Sequence, residues 1–203
     1  MEFLIPLVVL IFSAILHEIM HGVVADKLGD PTARLMGRLT LNPIPHIDPF
    51  MSILVPALLV ISGSPIIFGA AKPVPVNPIH FKDPKKDMAL VSLAGPLTNL
   101  FIAIVAAQFI RFIHPDFVIN QILYIIVLYN LMLGFVNLIP IPPLDGSKVL
   151  AAFLPNQLAI TYLSIERYGI FILFALLLFP IGGISLGDII SGLILFSVHA
   201  LGI

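Results

Sequence analysis

Apolar positions in this chain fall in long unbroken runs rather than in the narrow stripes of soluble helices. Residues 3–25, 88–112 and 117–139 are each apolar enough, and long enough at ~20 residues per crossing, to predict membrane-spanning helices. A fourth run, 50–71, is nearly as long but is broken by Pro56 and by Gly63-Ser64-Pro65. The loops on either side of it carry Lys27, Arg34 and Arg38, and Lys72, Lys82, Lys85 and Lys86, so the positive-inside tendency puts both on the cytoplasmic side. Residues 50–71 are therefore expected to enter and leave by one face, as a re-entrant hairpin buried in protein.

The remaining segments are shorter. Leu39-Thr40-Leu41 alternates between Gly37 and a proline-rich stretch, which predicts a short strand over 37–43; a proline-rich connecting loop is the alternative. Residues 69–78, with Lys72-Pro73-Val74-Pro75-Val76-Asn77-Pro78, read as extended backbone ruled by proline. Leu144 to Leu154 predicts a short amphipathic helix stopped before Pro155, and 168–181 with 184–203 predicts a closing hairpin of two spans.

Composition supports the membrane assignment. Of 203 residues, 59% are hydrophobic and 10% charged, with mean hydropathy +1.11. A net charge of −1 offers no basic surface for nucleic acid. Cysteine is absent, leaving His, Asp and Glu as the metal-ligating side chains. The N-terminus has no basic region or small-residue cleavage site, so the first span is expected to be retained.

Against this apolar background, His17-Glu18-Ile19-Met20-His21 stands out. Two histidines four apart lie on one face of a helix and can reach one metal ion, with the intervening glutamate beside a water held there. Three ionisable groups in membrane-type sequence are costly unless paired, metal-bound or wet. Asp145 follows the prolines that end the 117–139 span, at about the depth of the two histidines. It would complete a His-His-carboxylate zinc site with an open position, or alternatively cap the helix starting near Ser147. The same ligand set suits an iron(II) facial triad, so zinc rests on the motif. Asn99, inside the 88–112 span, either bonds to a neighbouring helix or supports the site. His46, His80, His114, Asp188 and His199 need no metal to explain them.

Taken together, H-E-I-M-H at 17–21, G-P-L-T-N at 95–99 and N-L-I-P-I-P-P-L-D-G at 137–146 resemble the motifs of the site-2 protease family of intramembrane zinc metalloproteases, over residues 3 to about 155. The resemblance implies His17, His21 and Asp145 as ligands of one Zn²⁺ per chain and Glu18 as general base. It also implies Asn137 and Asn99 as helpers for substrate or oxyanion, and Leu39, Thr40 and Leu41 as a re-entrant β element receiving substrate. Ser147 stands where the family commonly has a second glycine, and neither a PDZ module nor a regulatory domain is evident. The serine alters only the turn, whereas the extra apolar segment 50–71 and the Lys72-Pro73-Val74-Pro75-Val76-Asn77-Pro78 stretch suggest a compact prokaryotic member.

The expectation is thus an all-α polytopic membrane protein of about five to six membrane helices, with a re-entrant β element and a re-entrant apolar hairpin. Residues 1–155 would form the metalloprotease core and 156–203 a C-terminal hairpin. Its activity would be zinc-dependent cleavage of transmembrane protein substrates, in a multi-pass cell-membrane protein with the site near the cytoplasmic side. The competing readings are a metal-binding transporter and an inactive scaffold. A transporter predicts ionisable residues on several helices and related halves, whereas here they gather at one place.

Overall fold

A computed structural model describes residues 4–61 and 71–203. Regular structure among them is helical: α1 (Leu4–Lys27), α2 (Thr32–Leu35), α3 (Val55–Ile61), α4 (Pro84–Ile113), α5 (Phe117–Leu138), α6 (Asp145–Phe153), α7 (Asn156–Leu163), α8 (Glu166–Leu178) and α9 (Leu186–Leu201). One isolated antiparallel bridge joins Ile181 and Ile184. Three of these helices, α1, α4 and α5, are long and apolar enough to cross a membrane, within a few residues of the predicted spans. The bent pair α7–α8, at 66°, would make a fourth if it counts as one span, and α9 is a shorter apolar helix.

Local chemistry sets the helix ends. Pro84 opens α4, where its missing N–H costs nothing, and the Asp83 carboxylate accepts from the Lys86 N–H. The α4–α5 turn is made by His114, in the left-handed region at φ 47°, and by Asp116, whose carboxylate accepts from the N–H groups of Val118 and Ile119.

α4 is the central element, packing against α1, α5, α6 and α9. Lipid gives apolar helices no hydrophobic reason to associate, so close approach rests on small residues and buried polar bonds. Ala103, Ala106 and Ala107 line the α4 face that meets Val127 and Leu131 of α5 and Val198 of α9, all buried. α8 lies directly on the proline turn that ends α5, against Pro142 and Pro143. A Cβ on Gly169 would sit 1.6 Å from the Pro142 carbonyl oxygen, so only glycine fits where α8 crosses the turn that leads into Asp145.

Two expectations change. Residues 37–43 form a turn and successive bends instead of a strand, because their polar groups are satisfied locally. The Thr40 Oγ1 accepts from Asn42 N–H, Asn42 Oδ1 accepts from Ile44 N–H, and the His46 ring donates to the Thr40 carbonyl. Among the described residues, no strand pairs with this segment. The run 50–71 begins as a π-helical stretch, Pro49–Leu54, followed by α3; the rest of the expected hairpin lies outside the described residues. The predicted closing hairpin gains an unforeseen helix, α7, ahead of α8.

The extended segment 71–77 is held at four points. Lys72 N–H donates to the His46 carbonyl (2.8 Å), the buried Arg38 guanidinium donates to the carbonyls of Lys72 (2.8 Å) and Pro73 (3.2 Å), Val74 N–H donates to Glu18, and Asn77 N–H donates to Asp30 (2.6 Å). Asp30, fully buried beyond the end of α1, also accepts from the Thr32 hydroxyl and amide and from the His80 ring. Burial alone would raise its pKa, but these donors outweigh burial and hold the carboxyl below its ordinary value.

Candidate metal centre

Ser13, His17 and His21 recur every four residues on the buried face of α1, turned towards α4. α4 meets them with Gly95, where a Cβ would lie 2.5 Å from Nε2 of both histidines. Any side chain there would occupy the space between the rings, so the glycine in G-P-L-T-N is required by the site. The rings stand edge to face, 4.6 Å between centroids.

The hydrogen bonds identify Nδ1 as a proton-carrying nitrogen on each ring. His21 Nδ1 lies 2.7 Å from the Val91 carbonyl oxygen, which can only accept, so Nδ1 is the donor. His17 Nδ1 lies 2.6 Å from Asn99 Oδ1. The Asn99 amide nitrogen is spent on the Ser13 carbonyl (3.3 Å) and on Asn130 Oδ1 (2.8 Å), so it presents its oxygen to His17. Both rings therefore turn Nε2 towards Asp145 Oδ2, at 3.1 and 3.2 Å, and a ring in its neutral form with the proton on Nδ1 presents a lone pair there. With both rings neutral, three acceptor atoms face one another, largely cut off from water, an arrangement that a cation among them would satisfy. Ligand atoms about 2.0–2.1 Å from a tetrahedral zinc are about 3.3 Å apart, which this spacing matches.

Glu18, half-buried, also brings an oxygen within 4.8 Å of the histidine nitrogens, and by proximity alone the group His17, Glu18, His21 could hold a metal ion. Asp145 is the stronger third member, because its Oδ2 approaches both nitrogens to about 3 Å while Glu18 commits Oε2 to the Val74 N–H at 2.7 Å.

A cavity of about 380 Å³ opens over the site, lined by His17, Glu18, His21, Val74, Asn137, Asp145 and Lys148 among others. Asn137 faces it with one amide hydrogen given to the Leu133 carbonyl and the other free by valence. Asn99 does not line the cavity: it is fully buried behind His17, where it touches the ring and cannot reach a substrate. Leu39, Thr40 and Leu41 lie off the cavity too, Leu39 packing towards Gly22, and the extended backbone beside Glu18 is 71–77 instead. The chemistry-bearing groups passed over in the sequence are Ser13, Asn130, Val74 and Lys148. A serine one turn before His17 and an asparagine in mid-span are polar residues at membrane depth, which is a usable signal; a backbone N–H carries none. Lys148 Nζ stands 3.8 Å from Asp145 Oδ1.

Comparison with known proteins agrees with this geometry. The sequence model of peptidase family M50 matches residues 113–180, which include the Asp145 motif. The candidate zinc metalloprotease YwhC of Bacillus subtilis (strain 168) is 36% identical over 193 residues, 91% of this chain and 84% of that relative. The candidate zinc metalloprotease Rip2 of Mycolicibacterium smegmatis is 30% identical over 173 residues, and this chain covers 65% of it. Zinc metalloprotease MJ0392 of Methanocaldococcus jannaschii is 29% identical over 150 residues, 74% of this chain but 34% of that relative. No solved structure matches. With a relative this similar along most of both chains, and with a helical membrane fold carrying the motif histidines against the motif aspartate, the chain belongs to peptidase family M50.

Proposed function

We propose that this protein is a zinc-dependent intramembrane endopeptidase that hydrolyses peptide bonds within or next to transmembrane segments of protein substrates. The observation that carries the reading is the convergence of His17 Nε2, His21 Nε2 and Asp145 Oδ2, each nitrogen about 3 Å from the same carboxylate oxygen. These three residues would hold one zinc ion. When bound, zinc supplies Lewis acidity for the scissile carbonyl and lowers the pKa of water towards ~7.

Glu18 is the general base. With Oε2 held by Val74 N–H, its Oε1 takes the proton from the attacking water as the new C–O bond forms, then passes it to the leaving amine nitrogen as the C–N bond breaks. The free amide hydrogen of Asn137 is available to the developing oxyanion, in a cavity where its effect is little diluted by water. A substrate helix must unwind to expose a carbonyl, and its extended backbone would run beside Pro73, Val74 and Val76, which line the cavity.

The loop basic residues put the site near the cytoplasmic face of a multi-pass cell-membrane protein, with α7–α8 and α9 adding membrane elements to the core of α1, α4 and α5. Water would reach the site past the proline turn at 140–143 and the polar 26–49 loop.

The test is metal content of purified protein beside cleavage of a model transmembrane substrate in the same detergent. About one zinc per chain, weakened by Asp145→Ala and kept by a cleavage-dead Glu18→Gln, supports the assignment. Absence of zinc, or zinc indifferent to Asp145, favours a scaffold or transporter.

A further inference from the structure

Behind His17 runs a chain of hydrogen bonds that ends on two backbone carbonyls outside the cavity lining, those of Ser13 and Ile126. Asn130 of α5 is fully buried at mid-span. Its amide nitrogen lies 2.9 Å from the carbonyl of Ile126 and 2.9 Å from Ser13 Oγ. A carbonyl only accepts, so the nitrogen must face it and Oδ1 must point the other way, to the Asn99 nitrogen at 2.8 Å. Asn99 is then oriented twice, by Asn130 Oδ1 and by the Ser13 carbonyl, and offers Oδ1 to His17.

We infer that Asn130 and Ser13 are positioning residues: through Asn99 they hold His17 in the tautomer with the proton on Nδ1, leaving Nε2 free to bind the cation. The inference rests on the metal-site reading above. The opposite tautomer is a real competitor, since a proton on Nε2 would be welcomed by Asp145 Oδ2 at 3.1 Å and would close the coordination position. Reaching it requires the Asn99 amide to flip, which sets its oxygen against both Asn130 Oδ1 and the Ser13 carbonyl. With leucine at 130, of similar volume but without polar atoms, one of those two oppositions is gone. The relay joins α1, α4 and α5, so the three spanning helices must dock correctly before the first ligand is ready. Polar groups behind a metal-binding histidine commonly change affinity by 10–100-fold when lost.

The test uses the full chain in detergent, with ¹⁵N-histidine labelling and His17→Ala to assign the His17 signals. In zinc-free protein, wild type should show His17 protonated at Nδ1, and Asn130→Leu should show a mixture or the Nε2–H form. Zinc affinity by chelator competition should fall about tenfold or more in Asn130→Leu, while Asn130→Asp, which keeps an oxygen towards Asn99, should recover most of it. In an Asn99→Ala background, Asn130→Leu should cost nothing further, because its effect passes through Asn99. If Asn130→Leu does not fold, Ser13→Ala carries the same comparison with a smaller loss. An unchanged Nδ1–H signal in folded Asn130→Leu, or equal losses with and without Asn99, overturns the relay. The tautomer measurement needs no metal, so failure of wild type to bind zinc would sink the metal reading without deciding the relay, which the ring signals decide alone.

Discussion

The backbone N–H of Val74 donates to Oε2 of Glu18 at 2.7 Å, tying the residue after the H-E-x-x-H histidine to a segment more than fifty positions away. Val74 lies between two prolines, in a stretch whose carbonyls at 72 and 73 are gripped by Arg38. The segment therefore orients Glu18, the proposed base, as well as lining the cavity.

Replacing Val74 with proline removes that N–H, which extended backbone tolerates, and also replaces a buried valine side chain, so Val74→Ala is the control for the side chain. Hydrogen bonds to charged groups contribute ~1.5–3 kcal/mol, so kcat should fall about tenfold to hundredfold with zinc content unchanged. Val74→Ala, which keeps the N–H, should stay near wild type. Equal losses in the two variants would show that the side chain matters and the hydrogen bond does not.

Gly95→Ala puts a methyl group 2.5 Å from Nε2 of both histidines. Overpacking of this kind costs ~1–3 kcal/mol, and here it falls on the ring positions. Zinc affinity should drop about tenfold to hundredfold while far-ultraviolet circular dichroism stays unchanged. Gly192→Ala on α9, where a Cβ meets nothing within 4 Å, serves as the control and should bind zinc normally.

Asp30 links pH to the anchoring of the 71–77 segment. Its folded pKa lies below the ordinary 3.8, so its stabilisation is fully present above that value and is lost as pH falls through the folded pKa. The thermal midpoint in detergent should decline below about pH 4. Asp30→Asn should lose ~1.5–3 kcal/mol at pH 6 and show a shallower decline on acidification. Parallel pH profiles for the two proteins would remove Asp30 from the account.

Membrane class, the three long spans and the H-E-x-x-H pair were legible because each depends on near neighbours in the chain: run length sets a crossing, and i,i+4 spacing puts two rings on one helix face. Asp145 was legible as a carboxylate behind a proline stop. Between the strand and the proline-rich loop that 37–43 allowed, local chemistry decided for the loop: alternation says nothing about a partner segment, while Thr40, Asn42 and His46 satisfy the backbone locally. Only the packing of α1, α4 and α5 decided the rest. It brought Asp145 to within about 3 Å of histidines more than a hundred residues earlier, moved Asn99 from the cavity to the back of His17, and joined it to Asn130 and Ser13. Such relations depend on which faces of distant helices meet and on which polar atoms are left to accept, and no local pattern in the chain encodes either.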